Sequence, residues 1–185
     1  MSEKENEKLG FCDLPILRYI FIGGTENEGE VKSAWYYLGA DSKQVGIPEF
    51  GLRGILTALK IKKTEFKGKA NFKLDIFVQA DKPYAIRSGI NTTFSRGIVL
   101  ALYQYLTDTG DLSEPFTFGV QQGEDAKVVF SSLFNHQNTR VKFEWDKECT
   151  LGGFVHKIQE ALGQDLEADN CEGCRPSDIQ KRGKK

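Results

Sequence analysis

Two stretches of the chain set cationic and aromatic side chains at a spacing of two. In residues 52–66 (LRGILTALKIKKTEF), an extended backbone points Leu56, Ala58, Lys60, Lys62 and Phe66 one way and Ile55, Thr57, Leu59 and Ile61 the other. In residues 70–80 (ANFKLDIFVQA), Phe72, Leu74, Ile76, Val78 and Ala80 form one face, and Lys73, Asp75, Phe77 and Gln79 form its opposite. If Lys67-Gly68-Lys69 turns the chain between them, Lys60, Lys62, Phe66, Lys73, Phe77 and Gln79 share one sheet surface. A third short strand over 84–88 would bring Arg87 near. Interleaved cations and rings suit single-stranded nucleic acid. Ammonium and guanidinium groups neutralise phosphates, and an unpaired base stacks on a ring for about 1–3 kcal/mol. A duplex does not expose its bases to such a platform. The competing reading buries Phe66 and Phe77 under a further layer, because aromatic side chains are usually interior.

Charge is segregated in the same sense. The 185 residues carry a net charge of −1, yet residues 51–108 hold 10 basic and 4 acidic side chains between flanks that are both acidic. A local excess of that size attracts polyanions, although a solvated lysine-rich surface has the same composition.

The elements that must position these residues follow from hydrophobic periodicity. Residues 14–22 (LPILRYIFI) read as a buried strand that 31–38 (VKSAWYYL) pairs with, across a Gly-rich acidic loop over 23–30. That loop lacks the Lys and Ser/Thr that close a phosphate-binding P-loop, and its acidic side chains repel phosphate. From Asn91 the period changes: Phe94, Ile98, Leu102, Tyr105 and Leu106 recur at helical spacing, capped by Asn91, Thr92 or Thr93 and stopped at Asp108-Thr109-Gly110. The order then repeats, with strands over 116–121, 127–134 and 139–145 and a second amphipathic helix carrying Leu151, Phe154, Val155, Ile158 and Leu162. The fold class expected is α+β: a twisted antiparallel β-sheet or open barrel with two amphipathic helices, built as a duplicated strand-strand-strand-helix unit. One domain over 11–163 follows, between a disordered tail at 1–10 and a mobile charged tail at 164–185.

The run Lys67-Gly68-Lys69-Ala70 resembles the Lys-Gly-Lys-Ala signature of the Whirly family of single-stranded DNA-binding proteins. Asn71 stands where that motif continues with a small apolar residue. The resemblance implies a repeated sheet-plus-helix unit over roughly residues 31–162, binding of single strands on sheet surfaces, and oligomers; it nominates Lys67 and Lys69 directly. An OB-like barrel, with its helix between the third and fourth strands, is a competing topology that binds the same class of ligand.

Other chemistry-bearing residues form weaker constellations. Cys171-Glu172-Gly173-Cys174 is a Cys-x-x-Cys pair that, with Cys149 and His156, would supply four zinc ligands, though not at the spacing of a familiar finger. The plainer reading is a surface dithiol. His136 sits in a turn and His156 in a helix, neither beside a nucleophile. Glu144 and Asp146 share a strand face and read as a solvated edge; Arg96, in the first helix, reads as a solvent-facing cation or a phosphate contact. No enzyme signature emerges. Four unevenly spread cysteines, a charged N-terminus and the lack of an apolar run of about 18 residues point to reduced thiols and a cytoplasmic protein without a membrane span. The function expected is non-enzymatic binding of single-stranded DNA or RNA. The alternative is an oligomeric protein-interaction or accessory subunit that pairs through exposed strand edges.

Overall fold

The computed structural model describes residues 16–27, 30–125, 127–146 and 149–164. The expected tail at 1–10 and the expected tail at 164–185 apart from Gln164 lie outside the described residues, as do Cys12, Cys171 and Cys174. The strands are β1 (Arg18–Asn27), β2 (Glu30–Leu38), β3 (Gln44–Gly46), β4 (Gly51–Phe66), β5 (Lys69–Gln79), β6 (Pro83–Gly89), β7 (Phe116–Gln122) and β8 (Val129–Phe134). The helices are α1 (Thr93–Thr109) and α2 (Leu151–Ala161). The architecture is α+β. All eight strands join one unclosed sheet in the order β3-β2-β1-β6-β5-β4-β7-β8.

Long strand pairs start from local turns. Lys67 (φ 51°) and Gly68 (φ 74°) both take left-handed backbone, the two-residue hairpin geometry whose twist matches that of the flanking strands. From that turn β4 and β5 pair antiparallel from Phe66↔Lys69 out to Ile55↔Gln79. One irregularity lies between Leu56 and Ala58, which are matched by the adjacent residues Val78 and Phe77. This bulge at Thr57 overturns part of the alternation expected for residues 52–66. An extra residue in one strand exchanges the faces on either side of it. Leu56 therefore turns into the core at 2% exposure, whereas Ile55 lies 44% exposed and does not join Leu59 and Ile61.

The N-terminal strands differ more from expectation. β1 extends through Gly23, Gly24 and Thr25, residues read above as loop. It pairs antiparallel with β2 and parallel with β6, so the sheet is not antiparallel throughout. Because β6 is occupied by β5 on one side and β1 on the other, β4 to β8 cannot close into a five-stranded barrel through it. Over 139–145 the expected strand is reduced to one bridge, Phe134↔Arg140, with a further Val141 N–H bond to the Leu133 carbonyl. Beyond it Phe143 turns against α1 beside Gly97, which takes the chain off the sheet edge.

One face of the sheet packs the core. Leu59, Leu74, Ile76 and Ile86 from the strands meet Phe94, Ile98 and Leu102 of α1, all without exposed surface. Thr92 caps α1 by accepting from the Ser95 N–H at 3.2 Å, and Gly110 ends it in left-handed backbone with its N–H on the Leu106 carbonyl. α2 adds Leu151, Val155 and Ile158 to the core, and Phe154 meets Tyr103 of α1 edge-on at 4.6 Å. β4 pairs with β7 only over Gly51–Gly54, which leaves the Leu59 peptide groups to other partners. Two glutamines take them: Gln159 donates to the Leu59 carbonyl at 2.8 Å, and Gln164 accepts from its N–H at 2.9 Å while donating to the carbonyl at 3.1 Å. Gln164, placed in the C-terminal tail above, thus ties the end of α2 to the sheet. Among the described residues, no helix is long and apolar enough to cross a membrane.

Candidate nucleic-acid interface

The face of the sheet opposite the core is ordered by register. Directly paired residues share a face, so the pairs Lys60↔Asp75 and Asp75↔Arg87 put these three in one row across β4, β5 and β6. A second row runs Ala58, Phe77, Ala85, and a third Lys62, Lys73, Gly89. Lys60, Lys62, Lys73, Arg87 and Phe77 therefore lie on one surface, with the Lys60–Asp75–Arg87 row between the row of Phe77 and that of Lys62 and Lys73. Lys60 is exposed; Lys62, Lys73, Phe77 and Arg87 are half-buried. Phe77 is thus neither sealed inside nor fully open, and the Lys60 ammonium lies 6.0 Å from its ring centre. Lys67 and Lys69 are exposed at the hairpin tip. Phe66 pairs with Lys69 through the backbone, and its side chain lies outside what the structure describes. Gln79 is exposed opposite Ile55.

A carboxylate organises the middle of this face. Asp75 has no exposed surface and accepts from Arg87 twice, from Nε at 2.7 Å and from Nη2 at 2.6 Å. Lys62 approaches the same carboxylate at 3.5 Å. Hydrogen bonding to Asp75 pushes the Arg87 guanidinium above its ordinary range, so it stays charged. Four cations surround one anion, and the face keeps a positive excess.

Sequence reasoning missed the aromatic half of the surface. Register continues from Arg87 to Phe21 on β1 and from Phe21 to Tyr36 on β2, while Ala85 pairs with Tyr19. Tyr19 and Phe21 lie 6.4 Å apart at 28°, and Phe21 and Tyr36 lie 5.5 Å apart at 21°. Arg87 sits 4.6 Å over Tyr19 and joins the two halves. Alternating rings in Arg18-Tyr19-Ile20-Phe21-Ile22 were the available sign. Beside them an open cleft of about 840 Å³ is lined by Arg18, Tyr19, Phe21, Tyr37, Lys82 and Arg87, among others.

The remaining residues are placed elsewhere. Arg96 does not face this surface: its Nη1 donates to the carbonyls of Asp146 at 3.0 Å and Cys149 at 2.9 Å, holding the segment that enters α2. The same nitrogen lies 3.2 Å from the Cys149 sulfur, and burial pushes that thiol above its ordinary value. His156 lies 3.3 Å from Glu160 one turn along α2. Cys149 and His156 belong to no group of three or more metal-ligating side chains among the described residues, and Cys171 and Cys174 lie outside them. His136 supplies its backbone carbonyl to Arg53 Nη2 at 2.9 Å, a contact that fixes the turn after β8. Comparison with protein families, curated proteins and solved structures returned no match.

Proposed function

We propose that the protein binds single-stranded DNA or RNA on the outer face of β4, β5 and β6 and performs no chemistry on it. One observation carries this reading: cross-strand register puts Lys60 and Arg87 in the row next to Phe77, and Lys62 and Lys73 in the row beyond, all on the sheet face opposite the core. Lys60 and Lys73 supply mobile charge to phosphates, and Lys62, held at 3.5 Å from Asp75, adds to it. Phe77 supplies a stacking surface that only an unpaired base can use. Arg87, held by Asp75, presents a fixed cation, and Lys67 and Lys69 extend the charge to the hairpin tip. The resemblance carried by Lys67-Gly68-Lys69-Ala70 points the same way. Titration of a fluorescent single-stranded oligonucleotide at two salt concentrations tests it. Binding that weakens with salt supports the reading; absent or salt-independent binding ends it.

A second reading, association with further copies or with a protein partner, is favoured by the two ends of the sheet. Leu38 and Val45 near β3 are 48% and 37% exposed, and Phe130 on β8 is 48% exposed. Light scattering on protein freed of nucleic acid separates the readings, since a monomer that binds oligonucleotide supports only the first.

A further inference from the structure

We infer that the nucleic-acid path continues past β6 onto β1 and β2, where Tyr19, Phe21 and Tyr36 take bases and the adjoining cleft seats one nucleotide unit. This rests on the reading of the β4–β6 face given above. Register carries the path without a step. The row that begins Lys60, Asp75, Arg87 goes on to Phe21 and Tyr36, so it spans five neighbouring strands. Four spacings of about 4.8 Å make it about 19 Å long. At helical rise that is room for about six nucleotides, and for fewer when the strand is extended.

Chemistry changes along the row from cationic to aromatic. Lys60 on β4 and Arg87 on β6, on either side of the buried Asp75, suit phosphate; Phe21 on β1 and Tyr36 on β2 suit bases. The three rings lie within 28° of parallel between neighbours, and each is half-buried, so part of every ring meets solvent. A base joins such a row by offset stacking. The cleft beside Tyr19 and Phe21, about 840 Å³, falls in the range of about 300–1,000 Å³ usual for small-molecule sites. Its lining is largely apolar, with Ile16, Leu17 and Leu38, and adds the rings of Tyr19 and Phe21 and the cations Lys82 and Arg87 that a nucleotide's phosphate requires. Arg87 lies 4.6 Å over Tyr19, so its guanidinium is positioned by a ring before any ligand arrives. A row of rings beside these cations favours a nucleotide over an acidic peptide, which has charge to offer but no flat π-surface for each ring.

Photo-crosslinking tests the inference on the unaltered full chain, with a single-stranded oligodeoxythymidine of about 12 nucleotides, inside the site sizes of such surfaces, carrying 5-iodouracil. Adducts on peptides containing Tyr19, Phe21 or Tyr36, in addition to those from β4–β6, are the result expected. Tyr36→Leu, which keeps an apolar side chain but removes the ring, should weaken binding about five- to tenfold with an unchanged salt slope. Adducts confined to β4–β6, with Tyr36→Leu binding as the unaltered chain does, overturn the inference and leave the β4–β6 reading standing. Absence of any salt-dependent binding removes both.

Discussion

Arg87 on β6 grips Asp75 on β5 through two parallel hydrogen bonds of 2.7 and 2.6 Å, and Asp75 is completely buried beneath it. The pair sits at the centre of a positive surface. With Lys62 at 3.5 Å from the same carboxylate, one anion holds two cations in fixed positions. Its cost in local charge is offset by order: Arg87 is held against Tyr19 and links the cationic strands to the aromatic ones.

Asp75→Asn keeps the shape of the side chain and removes its charge, which should lower stability by about 1–3 kcal/mol. That is less than for a wholly buried pair, because Arg87 and Lys62 retain contact with solvent. Urea denaturation measures it. Oligonucleotide affinity of the folded variant should not fall, since the positive excess grows. A folded variant that no longer binds would contradict this, and would show that the position Asp75 gives Arg87 matters more than the added charge.

Gly54 and Gly68 should respond differently to alanine. A Cβ on Gly54 would lie 2.5 Å from the Gln79 carbonyl oxygen and 2.6 Å from Val78 Cγ1, and the backbone oxygen cannot move aside. Gly54→Ala should cost about 1–3 kcal/mol through overpacking. Gly68 has nothing within 4 Å, so Gly68→Ala meets only the strain of its positive φ, about 1 kcal/mol. Thermal or urea melts in which Gly68→Ala is the more damaging would contradict the close approach of β4 to the end of β5.

Burial raises the Cys149 thiol above its ordinary value, and the Arg96 guanidinium pulls it only partly back. The neutral thiol is therefore favoured in the folded state. Its contribution to stability is present below the unfolded-state pKa and is lost as pH rises through the folded value. At about pH 8, near the ordinary thiol range, iodoacetamide should label the Cys149 peptide more slowly in the folded chain than in urea. The gap should narrow as pH rises. Faster labelling in the folded chain would show that Arg96 outweighs burial.

How far the surface was legible depends on how local its causes are. Lys73 and Phe77 could be set opposite Leu74 and Ile76 because one side of β5 is buried, and burial of one side writes period two into the residues themselves. The Lys67-Gly68 turn was readable for the same local reason. The Thr57 bulge was not, since an extra residue in a strand leaves no mark in composition, and it moved Ile55 and Leu56 to faces the plain alternation does not give. Tyr19, Phe21 and Tyr36 escaped notice because their place beside Arg87 depends on the parallel pairing of β1 with β6, strands with four others between them in the sequence. Residues 139–145 carry strand-like alternation, but Phe143 finds its partner on α1 rather than on a strand.

The most direct measurement is the affinity of the unaltered chain, Lys73→Ala and Phe77→Ala for one fluorescent single-stranded oligonucleotide over a range of salt. The logarithm of the unaltered chain's affinity should fall linearly with the logarithm of salt concentration, and Lys73→Ala should reduce that slope by about 0.7. Phe77→Ala should weaken binding by about 1–3 kcal/mol and leave the slope unchanged. No binding by the unaltered chain, or binding indifferent to salt and to both substitutions, would contradict the assignment of this face to nucleic acid.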